Sequence, residues 1–129
     1  MIYARKYTEE DKMLWDNFLP GTKNSTFLFS RNYMDYHKDR FQDFSVLVFE
    51  EEQLVAMLPA NIADNIVYSH QGLTFGGVIV KYQEYAINTI AYFKTILQFL
   101  LQQGIEKLVL YDLLVIISVA LVNPFVLSA

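Results

Sequence analysis

The region from Phe44 to Val80 constrains the fold most, because three apolar segments are joined there by very short polar connections. Those segments are Phe44 to Phe49, Leu54 to Ile62 and Ile66 to Ser69. Glu50-Glu51-Glu52 separates the first two, and Asp64-Asn65 separates the second from the third. Antiparallel strands can be joined by a tight hairpin, whereas parallel neighbours need a crossover of roughly a dozen residues or more. The sequence therefore predicts an antiparallel meander, with the three acidic residues solvated in its first turn.

The chain before the meander begins with a pattern typical of a short strand. Ile2, Ala4 and Lys6 alternate there with aromatic and basic neighbours. Thr8 then predicts a helix cap, because it precedes Glu9-Glu10-Asp11, whose charges favour the positive end of a helix. We expect that helix to end at Pro20-Gly21. The side chains expected to point inward from it are Met13, Leu14, Trp15 and Phe18.

A second helix is predicted from Arg31 to about Lys38, with Ser30 as its cap. Tyr33, Tyr36 and His37 share one face of it by their spacing. These side chains either cover the sheet or line a cleft with a hydroxyl or imidazole group. No metal-ligand spacing links His37 to His70.

The longest helical pattern follows the meander, from Tyr82 to Gln103. Gly104 is placed to end it in a left-handed conformation, and Ile105 to Tyr111 then reads as a strand. A strand, a long helix and a strand make a crossover unit, so we expect this last strand to lie parallel to one in the meander. The residues assigned to the apolar face of the helix are Ile87, Ile90, Ala91, Lys94, Leu97 and Leu101.

Composition narrows the class of protein. The 129 residues fit one domain, 1–129, and 53% hydrophobic residues are sufficient for one core. The absence of cysteine excludes disulfides and thiolate metal sites. A net charge of -4 without a basic cluster gives no electrostatic basis for nucleic-acid binding. Met1 to Tyr7 lacks the apolar core of a secretory signal, so we expect a cytoplasmic protein.

The last part of the chain differs from the rest, because Leu113 to Ala129 contains no charged residue. A membrane span needs about 20 apolar residues, and Asn123-Pro124 interrupts this segment early, so a transmembrane helix is not favoured. β-Branched residues are frequent from Leu113 to Val122 and favour a strand. We expect this stretch to be buried, partly between two chains of a homodimer.

The one concentrated candidate for chemistry is Ser69 to Gly77, which contains Gly72, Gly76 and Gly77. Glycines at this density could bring backbone amides close to an anionic ligand. They could equally mark a bulge or bend within a strand. His70 is a candidate general base, because its unperturbed pKa lies near neutrality.

Three stretches of the sequence carry a resemblance to a known family: Thr26 to Phe41, Leu58-Pro59-Ala60-Asn61 and Tyr68 to Gly77. Together they resemble the N-terminal part of bacterial GNAT-type acyltransferases of the FemAB-like kind, over about residues 1–111. The resemblance implies an α+β, GNAT-like half-fold, with a mixed, mostly antiparallel sheet and helices packed on it. It also implies transfer of an acyl group from acetyl-CoA or another acyl-CoA to an amine.

Under this resemblance, the cofactor-binding residues are Gln71, Gly72, Gly76 and Gly77, and His70 is the catalytic base. The family's pyrophosphate loop resembles Gln/Arg-x-x-Gly-x-Gly/Ala and leads from a strand directly into a helix. This chain departs from the pattern, since Thr74 stands where a glycine is expected and an apolar run follows the loop.

The resemblance leaves two functional classes open. The first is an acyl-CoA-dependent N-acyltransferase, and the second is a non-catalytic module that keeps the fold and acts by association. Family members are longer than this chain, and the resemblance ends near Tyr111-Asp112. A truncated or frameshifted acyltransferase with a non-family tail, 113–129, is the hypothesis that follows.

Overall fold

The computed structural model describes residues 1–22, 42–69, 78–81, 83–110 and 115–118. Its α-helices in this part of the chain are α1 (Lys12–Phe18) and α2 (Ala86–Gln102), and short 3-10 turns span Glu9–Asp11 and Leu19–Gly21. The strands are β1 (Ile2–Lys6), β2 (Gln42–Asp43), β3 (Val46–Glu50), β4 (Gln53–Leu58), β5 (Ala60–Ala63), β6 (Ile66–Ser69), β7 (Ile79–Val80), β8 (Lys107–Leu110) and β9 (Val115–Ser118). The helix predicted at residues 31–38 lies outside the described residues.

The meander is confirmed, and two of its strands run through both sheets. The first sheet has the order β1-β3-β4-β7, and the second has the order β2-β5-β6-β8-β9. β2 continues into β3 after a break at Phe44-Ser45, and β4 continues into β5 after a break at Pro59. β3 pairs with β4 and β5 pairs with β6, in both cases antiparallel.

Both hairpin turns use left-handed backbone. Glu51 and Glu52 have φ of 50° and 68°, and Asp64 and Asn65 have φ of 53° and 63°. Two-residue hairpins that match the twist of the flanking strands require such positive φ values, which Asn and Asp tolerate best. The short connections in the sequence therefore fix the strand pairing locally.

Alternating residues of β3 face opposite sides of the first sheet, and each side carries its own core. Val46 and Val48 pack with α2, whereas Leu47 and Phe49 pack with Trp15 of α1. The alternation follows from the two-residue period of a strand. The sheet is thus covered by a different helix on each face.

The helix α1 buries less of its surface than its sequence predicts. Trp15 is fully buried and Phe18 is partly buried, as expected. Met13 is 76% exposed and Leu14 is 39% exposed, so their inward assignment is wrong. Seven residues make only about two turns, and the narrow face against the sheet is filled by Trp15 and by Leu19 in the following 3-10 turn.

The start of this helical region is held by an ion pair to β1. Arg5 donates two hydrogen bonds to the Asp11 carboxylate, at 2.7 and 2.8 Å. The same carboxylate accepts a hydrogen bond from the backbone N–H of Thr8 at 2.9 Å, which satisfies a donor at the helix start. Thr8 is therefore the cap, as predicted. The Asp11 carboxylate makes the side-chain hydrogen bond to its backbone N–H.

The buried face of α2 differs from the predicted one. Ile87 is 76% exposed and Ile90 is 44% exposed, and Ala91, Lys94 and Leu101 are only partly buried. Apolar residues lie on more than one side of this helix, and the side with two aromatic rings offers the sheet more area to bury. The buried residues are Thr89, Tyr92, Phe93, Ile96, Leu97 and Leu100.

The end of α2 and the strand after it agree with the sequence. Gly104 has φ of 77° directly beyond the helix. β8 pairs with β6 in parallel, so the predicted crossover unit is confirmed. Within the apolar tail, Val115–Ser118 forms β9, antiparallel to β8. The strand predicted there is confirmed for these four positions, and its association with a second chain stays a prediction.

In the ranges that the structure describes, no helix combines the length and apolar character needed to cross a bilayer.

The corrected face of α2 predicts a large difference between two substitutions in the same helix. Leu100→Ala should lower the free energy of unfolding by about 2–5 kcal/mol, because it opens a cavity in a fully buried position. Ile87→Ala should change it by about 0.5 kcal/mol or less. Urea unfolding of both variants measures this. Equal losses of unfolding free energy would show that Ile87 is buried, contrary to the structure.

The Arg5–Asp11 pair predicts a dependence of stability on pH. Hydrogen bonds from the Arg5 guanidinium lower the pKa of Asp11 to about 2. Since the folded pKa is depressed, the stabilisation is complete above the ordinary aspartate pKa of about 3.9 and disappears as the pH falls to about 2. Asp11→Asn should lose about 1–2 kcal/mol at pH 7, a value that allows for solvent screening because the Arg5 side chain is 41% exposed.

The measurement is urea unfolding of wild type and Asp11→Asn at several pH values. The difference between them should vanish near pH 2, and the exposed neighbour Glu10→Gln serves as the control. A difference that stays constant across the series would show that Asp11 acts through its shape and not its charge.

Candidate functional site

The described part of the chain contains one parallel strand pair, and it marks a candidate site. β6 and β8 are aligned from Ile66↔Lys107 to Ser69↔Leu110. In open α/β sheets, ligands bind outside the carboxyl ends of parallel strands, where the strand order changes. Ser69 and Leu110 stand at those ends, so the residues that follow them in sequence are the first candidates for a site.

The strand pairs on either side of residues 70–77 differ in their spacing along the chain. Ala60 pairs with Ser69, and Met57 pairs with Ile79. Between these two pairs, one strand advances by three residues, from Met57 to Ala60, and its partner advances by ten, from Ser69 to Ile79. The partner therefore has seven more residues than continuous pairing would use. This excess is larger than the single extra residue of an ordinary β-bulge.

All the site residues predicted from sequence fall in this interval. His70, Gln71, Gly72, Gly76 and Gly77 lie outside the described residues, and their roles stay predictions. The residues that flank them, Ser69 and Val78, are both buried. The interval thus starts and ends in the interior of the fold.

Ser69 has a structural role at this position. It is 1% exposed, and its hydroxyl donates a hydrogen bond to the backbone carbonyl of Val109 at 3.2 Å. That bond links β6 to β8 beside their carboxyl ends. A buried hydroxyl held in this way is poorly placed to act as a nucleophile.

The second candidate feature is the amino end of α2. β7 separates the glycine-containing interval from this helix, and residues 81–85 form the connection that leads into it. This connection, Lys-Tyr-Gln-Glu-Tyr, contains no glycine. The segment that directly precedes the helix is therefore different from the one that the sequence resemblance proposed for phosphate binding.

Glu84 places its carboxylate at this helix end. Its Oε1 accepts hydrogen bonds from the backbone N–H of Tyr85 at 3.1 Å and from Asn88 Nδ2 at 2.8 Å. Its Oε2 accepts one from the Tyr92 hydroxyl at 3.1 Å. The backbone N–H of Glu84 donates to Lys81 O at 3.0 Å, so a turn also holds the residue. A carboxylate in this position interacts favourably with the helix dipole.

Tyr92 lies between two carboxylates. Its side chain belongs to the core that packs α2 on the sheet, and its hydroxyl is also 3.4 Å from Glu50 Oε2. Burial, followed by the hydrogen bond and charge of Glu84, raises the pKa of Tyr92 above its usual value. The phenol therefore stays protonated at neutral pH, and it can donate its single proton to one carboxylate at a time.

The acidic turn predicted as solvated has a more specific arrangement. Glu52 is exposed as expected, but Glu50 ends β3 and reaches the Tyr92 hydroxyl. Glu51 forms an ion pair with the ammonium group of Met1, and the hydrogen bond from that group lowers the pKa of Glu51. The amino end of α2 and the β3–β4 turn thus form one acidic end of the molecule, defined by Glu50, Glu51, Glu52 and Glu84.

The sequence contained a signal for this arrangement that its interpretation did not use. Glu84, Asn88 and Tyr92 are four residues apart, which places them along one side of a helix. The predicted helix begins at Tyr82 and so includes Glu84, whereas the observed helix begins at Ala86 and Glu84 precedes it. Among the described residues, no group of three or more His, Asp or Glu side chains is arranged to bind a metal ion.

Comparisons with known proteins show the fold. Neither protein-family models nor curated protein sequences match the chain. Among solved structures, the ribosomal-protein-S18-alanine N-acetyltransferase from Escherichia coli aligns over 84% of this chain and 64% of its own, with a TM-score of 0.56 and 9% identity. The PaiA N-acetyltransferase from Thermoplasma acidophilum, in complex with coenzyme A, aligns over 84% and 77%, with a TM-score of 0.51 and 12% identity.

A third solved structure, a GNAT family acetyltransferase from Brucella melitensis in complex with acetyl-CoA, aligns over 84% of this chain and 73% of its own. Its TM-score is 0.51 and its identity is 12%. The chain therefore has a GNAT acetyltransferase fold, as the resemblance implied. It spans less than two thirds of the length of the Escherichia coli enzyme.

The contacts of Tyr92 predict a modest structural role for its hydroxyl. Tyr92→Phe keeps the ring in the core but removes the donor to Glu84 and Glu50. The free energy of unfolding should fall by about 1 kcal/mol at pH 7, the usual net value of such a hydrogen bond. Tyr85→Phe is the matched control in the same region, since Tyr85 is 75% exposed and should tolerate the change. Thermal or urea unfolding compares the two, and an equal effect would contradict the assignment.

Proposed function

We propose that this chain is an acyltransferase-like protein that transfers an acetyl or other acyl group from acyl-CoA to an amine. The proposal is supported by the fold, which this chain shares with several acetyltransferases. Two of those proteins are described in complex with coenzyme A or acetyl-CoA. Folds host many functions, so the proposal also needs a site in this chain.

The observation that carries the proposal is the change of strand partners beyond Ser69 and Leu110. β6 pairs with β8, but β7, the next described strand after β6, pairs with β4, and β9 pairs with the other side of β8. The carboxyl ends of parallel strands, where the strand order changes, are a common place for a ligand. Gln71, Gly72, Gly76 and Gly77 are the candidate donor-binding residues, and they follow this point in sequence.

An acyl-CoA supplies an activated thioester, and the acceptor amine must be unprotonated to attack it. A general base with a pKa near the working pH would remove that proton. His70 is the candidate for this role, one residue beyond Ser69. Tyr92 is unsuited to it, because its raised pKa keeps the phenol protonated.

The described residues are compatible with an acyl-CoA at one of two places. The carboxyl ends of β6 and β8 are compatible with a donor, because the strand partners change there. The amino end of α2 does not fit the phosphates of a CoA molecule, because Glu84 already places a negative charge there. No step of the reaction is therefore assigned to that helix end.

The Glu84 carboxylate at the amino end of α2 favours a second candidate function. A truncated, non-catalytic GNAT-like module would keep the fold and act by self-association or partner binding. A module that binds no acyl-CoA would lose no activity by having the Glu84 carboxylate at the helix end. A homodimer through the apolar tail or an open sheet edge belongs to this candidate, although β9 already covers one side of β8 within the chain.

A calorimetric titration with acetyl-CoA, followed by an assay of thiol release with a panel of amines, separates the two candidates. The first candidate predicts saturable binding and amine-dependent release of CoA. Absence of both would leave the non-catalytic module. Light scattering on the same sample measures its molar mass, and a monodisperse monomer would contradict self-association.

Two substitutions follow from the proposed site. Gly76→Val should weaken acetyl-CoA binding more than it lowers stability, because a side chain would prevent close backbone approach to the donor. Gly21→Val is the control, since a Cβ at Gly21 meets no atom within 4 Å. His70→Gln should lower turnover by about 10²-fold or more and leave binding intact. Unchanged affinity in the first variant, or full turnover in the His70 variant, would remove that residue from the site.

A further inference from the structure

We infer that Glu84 is a resident anion at the amino end of α2, and that it makes this chain discriminate against phosphate groups there. The inference rests on the proposed function only where the phosphate belongs to an acyl-CoA. A helix end without such a carboxylate would not discriminate against phosphate groups in this way.

A helix end of this kind attracts anions for two reasons. The first backbone N–H groups have no partner within the helix, and the aligned peptide dipoles place partial positive charge at the same point. Phosphate groups of ligands commonly bind at such ends. α2 has 17 residues, so it is long enough to have a full dipole of this kind.

In this chain the anion at that end is part of the protein. Among its contacts, Glu84 accepts hydrogen bonds from the N–H of Tyr85, the amide of Asn88 and the hydroxyl of Tyr92. Tyr92 is only 3% exposed, so the last contact ties the carboxylate to the core. The N–H of Tyr85 precedes the first turn of α2, so a phosphate bound to the N–H groups of that turn would lie beside this carboxylate.

The surrounding charge acts in the same direction. The Tyr92 hydroxyl lies within hydrogen-bond distance of both Glu84 and Glu50, and Glu51 and Glu52 follow Glu50 in the turn. The ammonium group of Met1 offsets the charge of Glu51 through their ion pair. An incoming diphosphate would therefore approach several carboxylates, and like charges at close range repel one another.

Glu84→Gln tests the inference with little change in shape. Glutamine keeps an oxygen acceptor for the N–H of Tyr85 or the amide of Asn88, but it removes the charge. The probe is inorganic pyrophosphate, titrated into the full chain by calorimetry at low ionic strength. We expect affinity to rise about tenfold or more in Glu84→Gln, from the loss of one close like charge.

Glu52→Gln is the matched control, because it removes one charge from the same acidic end but lies exposed in the turn. It should change pyrophosphate affinity by less than about threefold, since exposed charges are screened by solvent. A rise in Glu52→Gln equal to that in Glu84→Gln would overturn the inference, because net charge alone would then explain it. If Glu84→Gln does not fold, Glu84→Asn replaces it under the same criterion, since asparagine also removes the charge and keeps an amide oxygen as an acceptor.

Equal pyrophosphate affinity in wild type and Glu84→Gln, or no binding by either, would overturn the inference. The same titration with CoA and with pantetheine, which carries no phosphate, then separates this result from the proposed function. A gain for pyrophosphate and CoA but not for pantetheine supports the role of Glu84, whether or not acyl transfer is detected. Failure of acyl transfer with this gain present would count against the proposed function alone.

Discussion

The contact between Ser45 and Ala60 is the point on which the two sheets depend. The backbone N–H of Ala60 donates to Ser45 Oγ at 3.2 Å, and the N–H of Phe44 donates to Ala60 O at 2.9 Å. The Ser45 hydroxyl donates to Asp43 at 2.9 Å, and the N–H of Tyr7 donates to Ser45 O at 2.8 Å. Pro59 beside this point has no N–H to offer a ladder. A buried side chain thus takes over where backbone pairing is interrupted, and both long strands pass from one sheet to the other.

This crossing determines what lies at each end of the molecule. On one side, the first sheet is packed between α1 and α2, and its hairpin turn meets the amino end of α2 through Glu50 and Tyr92. On the other side, β6 is free to pair with β8 in parallel. The carboxyl ends of β6 and β8 and the acidic helix end are therefore separate features of one fold. The first is the proposed place for an acyl donor, and the second is the proposed place of discrimination against its phosphates.

Local patterns in the sequence predicted much of this fold. The turn at Asp64-Asn65 and the helix end at Gly104 depend on backbone conformations that few residues adopt, so they could be read directly. The buried face of α2 could not, because Ile87 and Tyr92 both follow helical spacing and only packing decides between them. The position of Glu84 just before α2 could not be predicted for a related reason: it depends on where the helix begins, and boundaries are the least certain part of a pattern.

The central claim is that this GNAT fold offers a donor the ends of its parallel strands but not the amino end of its long helix. Titration of the 15N-labelled wild-type chain with CoA, followed by amide chemical shifts, tests it most directly. The account predicts the largest shift changes at Ser69, Val78 and Leu110, with little change at residues 85–88. The largest changes at the first turn of α2, with the strand ends unaffected, would contradict it.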